Sequence, residues 1–193
     1  MKNYDEFRVW KVTLRDEEGN GTDYYVQLNT ESDTVKMSRI RSFVLPGFYY
    51  MMAEEILANQ SSSAEEIYLA NSILLQLSSD VELIKYFTDN KKDFKKLLKM
   101  YIKDGRTDLV MFDPFEGEKE EDSKYAKLLK KLQLSYVGRN KENGFIEFSL
   151  GGHLDNGIGY IYCKDESKLP QIFISNYILL EKICKYWYLY KTT

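Results

Sequence analysis

"LSYVGRNKENGFIEFSLGGHLDNGIGYIYC", residues 134–163, decides the fold. Three runs rich in aromatic and β-branched residues, "LSYVGR", "GFIEFSL" and "GIGYIYC", are broken by "NKENG" and "GGHLDN", whose Gly, Asn and Asp residues build turns. Strands this short, joined by connections this short, pair as antiparallel neighbours. "QIFISNYILLEKI" and "KYWYLYKTT" continue the pattern beyond "KDESKLP", so a C-terminal antiparallel meander of about four to five strands is expected. In the last run, alternation puts Tyr186, Tyr188 and Tyr190 on one face and Trp187 and Leu189 on the other. With two bulky faces the strand is either covered on both sides or offers one aromatic face as a contact surface, and the covered strand is the expected reading.

Upstream, the apolar period changes from two residues to 3.6. "GEKEEDSKYAKLLKKLQL" predicts a helix from about Glu120 to Leu132, with acids at its start and lysines towards its end, as the helix dipole favours. "TDLVMFDP" is a short strand. "DVELIKYFTDNKKDFKKLLKMYIKDG" opens on a capping box, Ser79 with Glu82, and reads as one long helix, or two with a break near Asn90, stopped by Gly105. Ser63 with Glu66 is another such box, ahead of Ile67, Ala70, Ile73, Leu74 and Leu77 at helical spacing. Pro46-Gly47 ends one segment near Leu45, and a helix from about Phe48 to Ala58 follows. At the front, "EFRVWKVTLRD" and "YYVQLNT" flank the turn-rich "EEGNGTD" and form an opening β-hairpin. Hairpin, then helices, then strands is an α+β order. The expected division is 1–79, the hairpin plus helices packed on the rest, and 80–193, a helix-strand-helix followed by the meander.

Charged residues make up 30% and apolar residues 44%, the balance of an ordered chain. "MKNYDEFRVWKV" has no apolar signal core, and no run of about 18 apolar residues appears, so a cytoplasmic protein with no membrane contact is expected. Cys163, Cys184 and a single histidine offer no zinc spacing; free thiols and no cofactor are expected. The net charge is -3. Residues 1–79 carry 7 basic and 12 acidic side chains and the remainder 20 and 18, so no segment is basic enough to make nucleic acid the expected partner. Lys92, Lys95, Lys96, Lys99 and Lys103 face away from an apolar stripe, as do Lys124, Lys127, Lys130 and Lys131; both sets read as solvated helix faces.

Two stretches are candidates for chemistry or binding. His153, the only histidine, and Asp155 sit in "GGHLDN", where a carboxylate orienting an imidazole beside Ser149 or Cys163 would make a base and nucleophile. The same letters also make a tight turn, because Gly151, Gly152, Asp155, Asn156 and Gly157 accept positive φ or form Asx-turns, and no anion cradle accompanies the pair. The turn is the expected reading, with His153 and Asp155 as contacts for a partner. The second stretch is acidic: Asp108 and Asp113 lead into Glu116, Glu118, Glu120, Glu121 and Asp122, which could dock on a basic partner or simply form a solvated connection into a helix start. Asp122-Ser123-Lys124 has the letters of a nuclease D-x-K but opens a helix, and no Walker loop, G-x-S-x-G or G-x-G-x-x-G is present.

Residues 83–193 carry a resemblance in "LIKYFTDNKKDFKKLLKMYIKDGR", "YAKLLKKLQL", the Gly159-Tyr160 step of "GIGYIY" and the closing "WYLY". This succession resembles a family of small uncharacterised bacterial α+β proteins, some of which look like immunity proteins that bind and block a toxin. The resemblance implies a non-enzymatic protein-binding factor of the immunity or inhibitor type. The alternative is a small hydrolase or nucleotide-handling enzyme using His153 and Asp155. Neither reading sets an oligomeric state.

Overall fold

The computed structural model describes residues 2–3, 7–15, 17, 21–29, 36–115, 123–170, 172 and 176–193. The chain is α+β; among the described residues it has a four-stranded antiparallel sheet, then four α-helices, then a six-stranded antiparallel sheet whose first strand falls between the third and fourth helices. The first sheet runs β1 (Lys2–Asn3), β2 (Phe7–Arg15), β3 (Gly21–Asn29) and β4 (Lys36–Ser42), each strand beside the next. The expected hairpin is its β2–β3 pair, and the segment ahead of Pro46-Gly47 supplies β4. Helices α1 (Gly47–Ala58), α2 (Ala64–Leu77) and α3 (Asp80–Lys103) follow, then β5 (Val110–Met111) and α4 (Ser123–Lys131). Both capping boxes form: the Ser63 and Ser79 hydroxyls accept from the Glu66 and Glu82 amides, and each glutamate reaches back to its cap. Helix α3 is continuous through Asn90, whose side-chain amide donates to the Tyr86 carbonyl one turn back.

The second sheet comprises β5, β6 (Tyr136–Arg139), β7 (Ile146–His153), β8 (Asn156–Tyr162), β9 (Tyr177–Cys184) and β10 (Trp187–Thr192), in the order β5-β6-β7-β8-β10-β9. The meander is therefore transposed at its end, because β10 takes the seat beside β8 and leaves β9 at the edge. The cause lies in the side chains. Trp187, Tyr188, Leu189 and Tyr190 are all at most 4% exposed, which only a strand with neighbours on both edges and cover on both faces can provide. Tyr186 does not line up with Tyr188 and Tyr190 as the alternation had suggested; it occupies the tight β9–β10 turn at φ 70.

Helix α3 lies across the inner face of this sheet. Its buried Leu83, Phe87, Phe94, Leu97, Leu98 and Tyr101 recur at helical spacing and meet Phe148, Tyr160, Leu189 and Trp187. Rings of Phe87, Phe94, Phe148, Tyr160 and Trp187 pack in tilted and edge-to-face contacts, with centroids 4.9 to 6.1 Å apart. The Tyr160 hydroxyl finds the Leu83 carbonyl at 2.9 Å, so this buried ring leaves no unmatched polar atom. Gly159 lets the strands approach: a Cβ there would stand 2.2 Å from the Phe148 carbonyl oxygen. Tyr25, Phe43 and Leu45 from the N-terminal part join the same core.

Candidate functional site

His153 ends β7 and Asn156 begins β8, paired across a two-residue tip of Leu154 and Asp155. The segment is the hairpin turn the sequence suggested. The residue that takes positive φ at the tip is, however, Leu154, at φ 56, while among the neighbouring glycines only Gly151 has positive φ. Leu154 is also 92% exposed. A leucine in the left-handed region costs about 1–2 kcal/mol relative to glycine, and one held there in full view of solvent gains no compensating burial.

His153 is half-buried. Its Nδ1 shares a hydrogen bond of 3.1 Å with the Tyr49 hydroxyl, and the two rings meet edge to face at 5.6 Å. Asp155 is exposed, and its backbone carbonyl accepts from Thr192 at 2.9 Å. The imidazole is thus oriented by a tyrosine from α1 rather than by Asp155. Ser149 is buried four residues back along β7, about 13 Å away at strand spacing, with its Oγ accepting from the Gly151 amide. Cys163 follows the far end of β8, roughly 25 Å from the tip at strand spacing, and its thiol donates to the Asp165 carbonyl. Burial pushes that thiol above its ordinary pKa, the opposite of what a nucleophile needs. Both cysteines are free. The four residues of the catalytic alternative are therefore not brought together.

The elements bonded to this hairpin display apolar side chains. The Asn156 side chain donates to the Val44 carbonyl at 3.4 Å, which joins the hairpin to the loop before α1, and Phe48 stacks on Tyr49 at 4.4 Å. Val44, Phe48 and Met51 are all exposed, like Leu154. Sequence reasoning passed over this contribution from "FVLPGFYYMM", residues 43–52. Its signal was present: α1 is apolar nearly all round, yet buries only Ala53. A helix of that composition with so little burial leaves apolar surface facing solvent.

The N-terminal sheet shows a further exposed apolar face. Cross-strand partners Trp10, Val26 and Ile40, with Val12 and Tyr24 beside them, share one side, and Trp10 and Ile40 are half-exposed. All seven basic residues of the first 79 lie in strands of this sheet, which contains one acid, Asp23. Counting charge along the chain had hidden this, since it averaged the strands with the acidic sequence between them and the glutamates of α1 and α2.

The opposite side of that sheet is anchored by a buried charge cluster. Asp80, fully buried at the start of α3, accepts from the Tyr25 hydroxyl at 2.8 and 2.9 Å and pairs with Lys191 at 2.8 Å and Lys11 at 3.2 Å. Its backbone amide donates to Asp23 at 2.9 Å, and Asp23 in turn accepts from Thr13. Burial pushes the Asp80 carboxyl up, but the two ammonium groups and the tyrosine hydroxyl outweigh it, and the net direction is down. A second polar cluster lies on the outer face of the C-terminal sheet, where Tyr136 and Tyr190 both donate to one oxygen of Glu147.

The α4 lysines are partly engaged: Lys124 pairs with Asp104, Lys131 with Asp93 and Lys130 with Glu65. Lys92, Lys95, Lys96, Lys99 and Lys103 stand exposed on α3. Glu116, Glu118, Glu120, Glu121 and Asp122 lie outside the described residues. Among the described residues, no group of three or more His, Cys, Asp or Glu side chains comes together, and no helix is long and apolar enough to cross a membrane. Comparison with protein-family models, curated proteins and solved structures found no significant match to this chain.

Proposed function

We propose that this protein is a non-enzymatic factor that binds another protein and blocks it, in the manner of an immunity or inhibitor protein, through the β7–β8 tip and the start of α1. The observation that carries the reading is Leu154, 92% exposed at φ 56, with exposed Val44, Phe48 and Met51 on the elements bonded to its hairpin. A strained, displayed apolar side chain is costly in isolation and useful when a partner's pocket buries it, where one leucine can contribute about 1.5–3 kcal/mol. His153 then serves as a half-buried support fixed by Tyr49, and Asp155 as a polar rim beside the apolar centre. The resemblance read in residues 83–193, to a family of small uncharacterised bacterial proteins some of which look like immunity proteins, is in keeping with this reading. A protein partner is favoured over nucleic acid because the chain is net negative and three α4 lysines are already paired. A cytoplasmic setting belongs to the proposal and is supported by the two free cysteines.

The test is affinity capture from native cells, then titration of the captured protein against wild type, Leu154→Asp, Phe48→Ala, and His153→Ala with Asp155→Ala. The expected result is at least a tenfold loss of affinity, about 1.4 kcal/mol, for the first two with unchanged melting temperatures. Unchanged affinity in both would discard the hairpin surface. A cellular phenotype lost in the His153/Asp155 variant while partner affinity holds would favour the enzyme alternative.

A further inference from the structure

At the end of the C-terminal sheet opposite the hairpin tip, the turn between β6 and β7 and the segment after β8 enclose a pocket of about 260 Å³. Arg139, Lys164 and Lys168 line it, against a single carboxylate, Asp165. That carboxylate is turned to local use: its Oδ1 accepts both the amide and the hydroxyl of Ser167, at 3.1 and 2.6 Å. Arg139 is held in place by donating to the Gly144 carbonyl at 3.1 Å. Ile102, from the last turn of α3, and the Tyr162 ring give the pocket an apolar wall. From these residues we infer a binding site for a small organic anion, one phosphate or carboxylate group carried on an apolar body about the size of a single ring.

Three arguments lead there. An excess of two positive charges in a concavity concentrates anions, and it does so in a chain whose total charge is negative. A guanidinium with two neighbouring ammonium groups matches the oxygens of a phosphate or carboxylate, with the arginine able to bond two at once. The volume lies just under the roughly 300–1,000 Å³ of ordinary ligand pockets, which limits the body to something small, and the Tyr162 and Ile102 wall selects an apolar one.

Phenyl phosphate is a suitable probe for the full chain, with inorganic phosphate, benzoate and phenol as comparison arms. Amide shifts of residues 139–146 and 162–168 should saturate with phenyl phosphate or benzoate, whichever anion the site prefers. The double variant Lys164→Ala with Lys168→Ala, both at exposed positions, should bind the preferred anion about tenfold more weakly with no change in melting temperature. Bound ligand should also slow alkylation of Cys163, which forms part of the pocket wall, relative to half-buried Cys184. The inference fails if shifts scatter over the α3 lysines without saturating, if the double variant binds as wild type does, or if phenol binds as well as the anions. Inorganic phosphate matching phenyl phosphate would overturn the apolar part of the assignment.

Discussion

Lys191 lies in β10, and its side chain emerges on the inner face of the C-terminal sheet between Ile158 and Leu179, a position where an aliphatic residue would ordinarily pack. Its ammonium is tolerated because Asp80 waits 2.8 Å away, so each group cancels the other's desolvation. Lys191→Met should therefore cost about 3 kcal/mol by leaving the buried carboxylate with only Lys11 and the Tyr25 hydroxyl, and Asp80→Asn added to it should recover part of that loss in urea titration. The pH dependence has a definite sign. Asp80 has a lower pKa folded than unfolded, so its stabilisation is complete above the ordinary carboxylate range, near 3.9, and drains away as pH falls through the lowered folded value. Asp80→Asn should flatten the acid limb of the stability curve relative to wild type. An identical limb would show that Asp80 is not the charged group there. None of this was legible in the sequence: an acid just inside a helix start reads as a dipole partner, and nothing local ties it to a lysine in the final strand.

Elements show the same division between local and distant causes. The capping boxes at Ser63 and Ser79 could be read directly because their chemistry is complete within four residues. The hairpin at residues 153–156 could be placed from its turn residues, but not its conformation, since Leu154 adopts the left-handed region beside glycines better suited to it. The exchange of β9 and β10 escaped the reading because a strand's neighbour depends on which faces must be covered, and that is settled by α3 and the other strands. Gly159 tests how closely the strands are drawn together. Gly159→Ala would put a methyl against the Phe148 carbonyl and the Ser149 Cα, backbone that has no slack, and should destabilise by about 1–3 kcal/mol in thermal melts. A neutral result would mean that β7 and β8 can part without cost.

At the scale of the whole molecule, the two sheets differ in kind. The C-terminal one is covered on its inner face by α3 and α4 and lies at the centre of the main core. In the N-terminal one, β4 is exposed along nearly its whole length, and Tyr25 and the Asp80 cluster do most of the anchoring. Hydrogen exchange should separate them: β4 amides should exchange through local opening that is insensitive to mild denaturant, while β8 and β10 should exchange only on global unfolding. Equal protection in all three strands would contradict this picture. The fold class was legible because it rests on the order of periodicities, whereas the basic character of the first sheet was not, because charge summed along a chain does not distinguish strand from loop.

The central place of β10 also has a bearing on biosynthesis. Asp80 leaves the ribosome more than a hundred residues ahead of Lys191, an interval on the order of ten seconds at ordinary elongation rates. Throughout it, the nascent chain carries a carboxylate missing its principal counter-ion, and once β8 has been made it also carries an edge with an unfilled place, which β10 takes. The sheet can therefore close only after β10 has been made, and an open strand edge held until then is a place where chaperones would matter to this chain.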